Sequence, residues 1–314
     1  MIKLYFSVLM ISVFTSAATM NSYAQSVKTD KKLEKALKDI IKDFQGDIGV
    51  YVYNLKSNKE AAVNADTLFP TASVVKVPIL IGLFDKIAQG KYKLDEPLVY
   101  NAKRAYGGSG LMQFYKDSAK TDLRTLASLM IMYSDNTTSL WCQELAGGGE
   151  EINALMSKLG LEHTRVNSRT KGREKIWEVY GWGQTTPREM ASLLIKIRKG
   201  EMIDKTVSEQ MYRLLTNGFY VDNGASQIPP YVQKALKTGS VDASRSELMM
   251  VNAPHGDYVF YMGTKNNKDK SWTYDNEASQ LMRTISAYLW NYYEPKSGWK
   301  PAEGTEALIK GLPY

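Results

Sequence analysis

Patterns typical of β-strands occupy two distant parts of the chain. Near the N-terminus, "GDIGVYVYNL" and "EAAVNAD" lie on either side of the turn "KSNK". Three further patterns, "YVQKALKTGSV", "SELMMVNAP" and "DYVFYMGTK", follow one another from residue 231 onwards, with "APHGD" as a hairpin loop. Short β-branched or alternating runs between turn residues predict strands. We therefore predict an α+β fold whose antiparallel sheet is formed by both chain ends.

Helical patterns fill the stretch between the two groups of strands and flank the sheet at both ends. The segment 30–45, "DKKLEKALKDIIKDFQ", places apolar residues with helical spacing, and a last long helix is predicted from about 274 to 293. We divide the chain into an α/β part, about 30–75 and 217–293, and an inserted all-helical lobe, about 76–216. Further helices are predicted at 121–133, 136–146, 150–159, 187–199 and 204–216.

The N-terminus has the layout of a secretory signal peptide. Lys3 is followed by the apolar run "LYFSVLMISVF" and then by small residues around Ser22 and Ala24. The alternative is a membrane anchor, but this run is shorter than the roughly 20 residues that a spanning helix needs. We predict that residues 1–24 are cleaved and that residues 25–314 form one periplasmic or secreted domain without a stable membrane span.

Composition argues against several classes of protein. The chain has 314 residues, of which 44% are hydrophobic and 23% charged, as in ordinary globular proteins. The net charge of +7 is spread along the chain without a base-stacking motif, so we predict no nucleic acid partner. Cys142 is the single cysteine, and His163 and His255 lack the spacing of a metal site. We therefore expect no metal, no cofactor and a monomeric protein.

A serine and a lysine three residues apart form the first candidate catalytic pair. The spacing occurs at Ser73 and Lys76, and again at 168 and 171 and at 297 and 300. Only Ser73 opens a buried helical pattern, "TASVVKVPILIGLFDKIAQGK", in which its side chain shares a face with Lys76. The free N–H groups of a first helical turn favour negative charge on the serine oxygen. Burial disfavours the ammonium form of Lys76 and makes it a candidate base, although a lysine that extends from the helix start towards solvent is the alternative.

Two further motifs follow in an order that a known group of enzymes shows. "YSDN" ends at Asn136 after a predicted helix, and "KTG" begins at Lys237 within a predicted strand. With these motifs and the segments "LFPTASVVKVPIL", "TLASLMIMYSDNTTSL" and "GQTTPREMASLL", the chain resembles the class A β-lactamase-like branch of the serine β-lactamase and penicillin-binding protein superfamily. The resemblance runs from about residue 30 to 293 and implies the β-lactamase/transpeptidase-like fold.

The resemblance also implies the catalytic roles. Ser73 attacks the substrate carbonyl and is acylated, with Lys76 as its proton partner. Ser134 passes a proton to the leaving nitrogen, and Lys237 lies beside Ser134 and supplies positive charge for the substrate carboxylate. The substrate that the resemblance implies is a small β-lactam or a peptidoglycan peptide.

Four more residues are implied as substrate-binding groups. Asn136 hydrogen-bonds the substrate's side-chain amide and Lys76, and Thr238 assists in binding the substrate carboxylate. Ser240 occupies the strand position whose backbone N–H joins that of the nucleophile in the oxyanion hole. Arg245, in "DASRSE", resembles the family's additional carboxylate-binding arginine, and a surface arginine on a strand is the alternative.

One family signature is missing. Class A β-lactamases carry Glu-x-x-Leu-Asn in the Ω loop, and its Glu activates the water that hydrolyses the acyl-enzyme; this chain has no such string, and the expected position falls near Thr170. Three functions stay open. The first, which we favour, is a β-lactamase that deacylates through Glu174, Glu178 or Lys76. The others are a penicillin-binding-type enzyme that acts on D-Ala-D-Ala peptides and a sensor that is acylated without turnover.

Overall fold

The computed structural model describes residues 27–304, so the predicted signal peptide lies outside the described residues. Within this range, none of the helices combines the length and the apolar character that a bilayer-spanning segment needs. The strands of the described chain are β1 (Lys28–Thr29), β2 (Asp47–Asn54), β3 (Lys59–Val63), β4 (Phe69–Pro70), β5 (Pro97–Val99), β6 (Lys120–Asp122), β7 (Arg165–Val166), β8 (Gly183–Thr185), β9 (Lys234–Val241), β10 (Ser244–Val251) and β11 (Tyr258–Lys265). Its α-helices are α1 (Lys31–Ile41), α2 (Lys76–Ala88), α3 (Leu123–Met132), α4 (Asn136–Leu145), α5 (Gly148–Lys158), α6 (Glu174–Tyr180), α7 (Pro187–Lys199), α8 (Lys205–Leu215) and α9 (Glu277–Tyr293).

The central sheet is formed by both ends of the described chain. Its strand order is β1-β3-β2-β11-β10-β9, and every neighbouring pair is antiparallel except β1 with β3. One face packs against α1 and α9, and the other packs against the helices that lie between β4 and β9 in the chain. The predicted α+β fold is confirmed. β9 forms one edge of this sheet, so one side of the strand carrying the "KTG" motif has no neighbouring strand.

A row of small residues crosses the sheet on the face that packs against the helices. Gly49, Gly263, Ser246 and Gly239 are successive register partners on β2, β11, β10 and β9. A methyl group added to Gly49 would lie 2.5 Å from the ring of Phe69, far inside normal contact distance. The row therefore forms a shallow trough, because larger side chains at these positions would overlap the segment that lies on it.

The segment before the predicted nucleophile occupies this trough. The hydroxyl of Ser246 donates a hydrogen bond to the carbonyl oxygen of Thr71 at 2.8 Å. On the other side, the N–H of Thr71 donates to the carbonyl oxygen of Gly183 at 2.9 Å. The strands β4, β8 and β7 form a second, three-stranded sheet here. The sequence patterns did not predict it, because strands of two or three residues are too short for a periodic signal.

The nucleophile turn differs in detail from the predicted helix start. We expected Ser73 and Lys76 together in the first turn of one α-helix, whereas a 3₁₀ turn spans Ala72–Val75 and α2 begins at Lys76. Ala72 has φ of 43°, in the left-handed region that residues with a side chain seldom adopt. This sharp bend lets the chain pass from β4 into α2 within a few residues and leaves Ser73 at the bend.

The trough generates a stability prediction at Gly239. A methyl group there would lie 2.8 Å from the backbone nitrogen of Ser73 and 2.6 Å from the carbonyl oxygen of Thr71. Gly239→Ala should therefore lower the free energy of unfolding by about 1–3 kcal/mol, since backbone atoms cannot move aside cheaply. Denaturant unfolding measures this change. An unchanged midpoint would show that the segment does not lie against β9 as described.

Candidate active site

Ser73 and Lys76 are hydrogen-bonded to each other. The Nζ atom of Lys76 lies 2.9 Å from the Oγ atom of Ser73. It also lies 2.6 Å from the carbonyl oxygen of Ser134, 3.1 Å from the Oγ of Ser134 and 2.8 Å from the Oδ1 of Asn136. The side chain does not extend to solvent, because Lys76 is only 1% exposed. The nucleophile and its predicted proton acceptor are therefore in contact.

The environment of Lys76 favours a neutral amine. Burial, followed by the nearby charge of Lys237, lowers its pKa well below the ordinary value, and the more weakly acting Asp135 opposes the shift. A neutral amine has two N–H donors and one lone pair. The carbonyl oxygen of Ser134 and the Oδ1 of Asn136 can only accept, so they take the two donors. The lone pair is then left for the hydroxyl hydrogen of Ser73 or Ser134.

Lys237 approaches the same site from the sheet. Its Nζ atom donates to the Oγ of Ser134 at 3.0 Å and to the carbonyl oxygen of Thr238 at 2.9 Å. Burial lowers the pKa of Lys237 to about 7. As an ammonium group Lys237 has a third N–H, which these two bonds do not use. Ser134 thus connects the two lysines, one from α2 and one from β9.

The turn that carries Ser134 is held in a strained conformation by its neighbour. Ser134 has φ of 53°, again in the left-handed region. Asp135 is fully buried, and its carboxylate accepts from the N–H groups of Leu111 at 2.6 Å, Met112 at 2.7 Å and Thr138 at 2.8 Å. These bonds cap α4 and fix the preceding loop against the turn.

Asn136 is likewise fixed at both ends. Its amide nitrogen donates to the carbonyl oxygen of Gly107 at 3.0 Å, while its Oδ1 faces Lys76. Its backbone N–H donates to the carbonyl oxygen of Ser109 at 3.0 Å. The loop that contains Gly107 and Ser109 therefore forms one wall beside the catalytic cluster. The sequence reasoning missed this loop and the structural role of Asp135, although an Asp before a helix is a recognisable cap signal.

The predicted binding residues of the sheet lie along β9 and β10. Thr238 and Ser240 are on the edge strand, and Ser240 is the register partner of Arg245. The guanidinium group of Arg245 donates to the carbonyl oxygens of Val241 and of Ser271, the latter at 2.8 Å. The structure thus places Arg245 across the strand from Ser240 but does not bring it into the hydrogen-bonded cluster of Ser73, Lys76, Ser134 and Lys237.

An aromatic contact further occupies Arg245. Its guanidinium carbon lies 4.6 Å from the centre of the Trp272 ring, and the residue is only 3% exposed. Arg245 is therefore not the exposed strand arginine that formed the alternative prediction. Its role in carboxylate binding stays a proposal. In the structure its N–H groups donate to backbone carbonyls, and the flat face of its guanidinium group contacts Trp272.

The acids that were candidates for the deacylating base lie on the outside of the molecule. Glu174 and Glu178 belong to the short helix α6, and both are exposed. The Oε1 atom of Glu174 accepts from the N–H of Gly172 at 3.1 Å. Among the described residues, no carboxylate is hydrogen-bonded to Ser73, Lys76, Ser134 or Lys237. Thr170, near the expected Glu position, is buried and donates its hydroxyl to the carbonyl oxygen of Ser168 at 3.0 Å.

A family model matches residues 32–293 and describes the β-lactamase enzyme family. The chain belongs to this β-lactamase enzyme family. Among curated relatives, Beta-lactamase VEB-1 of Pseudomonas aeruginosa is 20% identical over 279 residues, which cover 85% of this chain and 92% of the relative. A Bacillus licheniformis β-lactamase is 24% identical and covers 86% of this chain and 90% of its own length.

Solved structures of the family share the fold of this β-lactamase-family chain. PBP-A matches with a TM-score of 0.76 and 26% identity, over 85% of this chain and 98% of PBP-A. A mutant of PBP-A, solved as an acyl-enzyme complex with penicillin G, matches with the same TM-score. A Chitinophaga pinensis β-lactamase matches with a TM-score of 0.75 and 21% identity, over 83% of this chain and 99% of that protein. The predicted superfamily is confirmed.

The shifted pKa of Lys237 generates a pH prediction. Because the native pKa of about 7 lies below the ordinary 10.5, the unfolded chain binds more protons than the native protein between these values. Stability should therefore rise with pH across this window, by up to about 1.4 kcal/mol per pH unit from this one group. In Lys237→Met, which removes the charge, this contribution should disappear. Denaturant unfolding of both proteins at pH 7, 8.5 and 10 measures it, and parallel pH curves would contradict the assignment.

Proposed function

We propose that the protein is an exported serine hydrolase that opens β-lactam rings through a covalent acyl-enzyme on Ser73. The observation that carries this proposal is the continuous hydrogen-bond chain from Ser73 through Lys76 and Ser134 to Lys237. Membership of the β-lactamase enzyme family supports it. Export to the periplasm or the medium rests on the signal peptide that the first 24 residues predict.

The acylation step uses each member of that chain. The lone pair of Lys76 accepts the hydroxyl proton of Ser73 while the Oγ atom of Ser73 forms a bond to the lactam carbonyl carbon. As the carbon–nitrogen bond breaks, the leaving nitrogen takes a proton from the hydroxyl of Ser134. The proton that Lys76 has gained restores the hydroxyl of Ser134, since Lys76 lies 3.1 Å from its Oγ atom. The cycle leaves an ester on Ser73 and a neutral Lys76.

Two further requirements are charge stabilisation and substrate orientation. The backbone N–H groups of Ser73 and Ser240 are proposed to bind the oxyanion, a type of contact worth about 3 kcal/mol for each donor. Ser240 lies on the edge strand, where N–H groups that point away from β10 have no strand partner. The free N–H of Lys237, with the hydroxyl of Thr238 beside it, is proposed to bind the substrate carboxylate, and Asn136 the amide of the acyl side chain.

Hydrolysis of the ester is the slower half of the proposed reaction. Lys76 is the one basic group hydrogen-bonded to Ser73 among the described residues, so we propose that it activates the hydrolytic water. Of the three candidate bases, Glu174 and Glu178 are exposed, which argues against a glutamate in this role. The same observation favours a second function, a penicillin-binding-type enzyme that transfers or slowly hydrolyses D-Ala-D-Ala peptides, and the fold match to PBP-A agrees with it.

Acylation is tested by mixing the purified protein with a chromogenic cephalosporin and following colour and intact mass together. We expect one equivalent of colour to form rapidly, with an adduct on Ser73, followed by slower turnover. Ser73→Ala should form neither adduct nor colour, since it lacks the nucleophile. Labelling of Ser73→Ala at the native rate would refute the proposal, and an adduct that never turns over would favour the penicillin-binding function.

The deacylation step gives a separate prediction. Glu174→Gln and Glu178→Gln should each change the deacylation rate by less than about twofold, as expected for exposed positions away from the reacting atoms. Decay of the adduct after removal of free cephalosporin, followed by intact mass, measures this rate. A tenfold or larger fall in the deacylation rate of either variant would identify that glutamate as the base. The proposed hydrolase would then use a relocated carboxylate for deacylation.

A further inference from the structure

An open recess lies beside the nucleophile, one row further along the sheet than the trough. Its volume is about 170 Å³, and Ala72, the residue before Ser73, lines it. Val241 and Ser244, which are register partners at the β9–β10 hairpin, form part of its floor. Lys265 lies two residues beyond Gly263 on β11 and so shares the same face of the sheet. The recess therefore begins next to both Ser73 and the proposed oxyanion strand.

The walls of the recess are largely apolar. Pro70 lies on the side of the nucleophile segment, and Val179, near the end of α6, and Trp182, just after it, line the opposite side. Val179 is 69% exposed and Val241 is 38% exposed, so the recess presents apolar surface to solvent. An apolar chain of a bound ligand would cover this surface.

Two polar groups of the recess lack the partners that their chemistry calls for. The hydroxyl of Ser244 is buried, and no hydrogen-bond partner for it exists among the described residues. The ammonium group of Lys265 donates to the carbonyl oxygen of Leu68 at 3.0 Å and lies 5.2 Å from the centre of the Phe69 ring. No carboxylate of the described chain lies within 4.0 Å of it. A hydroxyl donor and an ammonium group without a carboxylate partner, in one apolar recess, fit a carboxylate ligand.

The nearest acid on the sheet does not neutralise Lys265. Asp47 is its register partner on β2, but the carboxylate of Asp47 instead accepts from the side-chain amide of Asn266 at 2.7 Å. Lys265 thus has no carboxylate partner among the described residues, and the N–H donors that Leu68 does not use can serve a ligand.

We propose that this recess binds the carboxylate at the end of an acidic side chain on the acyl donor, with Lys265 and Ser244 as the recognising groups. The inference rests on the proposed acylation of Ser73. It assigns a substrate class: β-lactams or peptides whose acyl side chain is a short aliphatic stem that ends in a carboxylate. Such a stem lies against Val179 and Val241, while its charge reaches Lys265.

Two cephalosporins that differ in one group provide the probe. In the first, the 7-amino group of the cephem nucleus carries a glutaryl side chain, and in the second it carries the corresponding terminal primary amide of the same length. The second-order rate constant of Ser73 acylation, followed by intact mass, is measured for both. We expect the native protein to react about fivefold faster with the carboxylate, the effect of one favourable ion pair in a partly exposed site.

Substitutions at Lys265 separate recognition from general charge effects. Lys265→Gln should bring the ratio of the carboxylate rate to the amide rate close to one, and Lys265→Arg should retain the preference because it keeps the charge. Lys268→Gln changes the net charge equally at an exposed position outside the recess lining, so it should behave as the native protein. Ser244→Ala should weaken the preference without abolishing it.

The outcomes distinguish the inference from the function on which it rests. Equal rates for the two cephalosporins, or a preference that survives in Lys265→Gln, would overturn the recess as a carboxylate site while leaving Ser73 acylation intact. Loss of the preference in Lys268→Gln as well would reduce it to a long-range charge effect. Failure of both cephalosporins to label Ser73 would instead refute the proposed function itself.

Discussion

The burial of an amine beside a second lysine is the constraint on which the site depends. An ammonium group at Lys76 would carry a large desolvation cost, and Lys237, which is hydrogen-bonded to the same Ser134 hydroxyl, would repel it. Burial lowers the pKa of Lys76 and so favours the neutral amine, whose two N–H groups face oxygen atoms that can only accept. A neutral lysine is a base at neutral pH, whereas a solvated lysine is not. The same burial that destabilises the charged form therefore creates the proton acceptor.

The sheet contributes to the site mainly through the absence of large side chains on one of its faces. Gly49, Gly263 and Gly239 leave no side chains where Phe69 to Ser73 cross the sheet, and Ser246 supplies a hydrogen bond in the remaining gap. The nucleophile is thus positioned against backbone atoms, which move less than side chains. Two of the non-glycine residues with left-handed backbone angles, Ala72 and Ser134, lie on either side of Lys76. Strain at both positions is tolerated because packing and hydrogen bonds on each side overdetermine the conformation.

The sequence predicted those parts of the fold that local signals specify. Helix α7 begins and ends where we expected because Thr186 caps it, Pro187 starts it and Gly200 ends it in a left-handed conformation. The grouping of Ser73, Lys76, Ser134 and Lys237 was also predictable, since three short motifs on the right elements specify it. The small-residue row was not, because its members lie on four strands and become neighbours only through the register. The guanidinium partners of Arg245 and the surface position of helix α6 likewise depend on tertiary contacts.

The loop that precedes α6 offers a reason why the proposed acyl-enzyme should be hydrolysed slowly. The charged side chain of this loop that points inwards is that of Arg173. It donates to the Oδ1 of Asn167 at 2.7 Å and to the Oε1 of Gln184 at 2.9 Å. Burial lowers the pKa of Arg173, but a guanidinium group still cannot accept a proton from water at neutral pH.

The position where a carboxylate would be expected is closed by packing. The hydroxyl of Thr170 lies so close to α5 that a methyl group added to Gly149 would come within 1.7 Å of it. A water-activating acid at this position therefore needs more than one substitution, because the loop and the start of α5 fill the space together. The proposed acylation would use the buried lysines and serines, whereas fast hydrolysis would need a loop that is packed around different residues in this chain. In the proposed reaction the two steps therefore depend on different parts of the molecule.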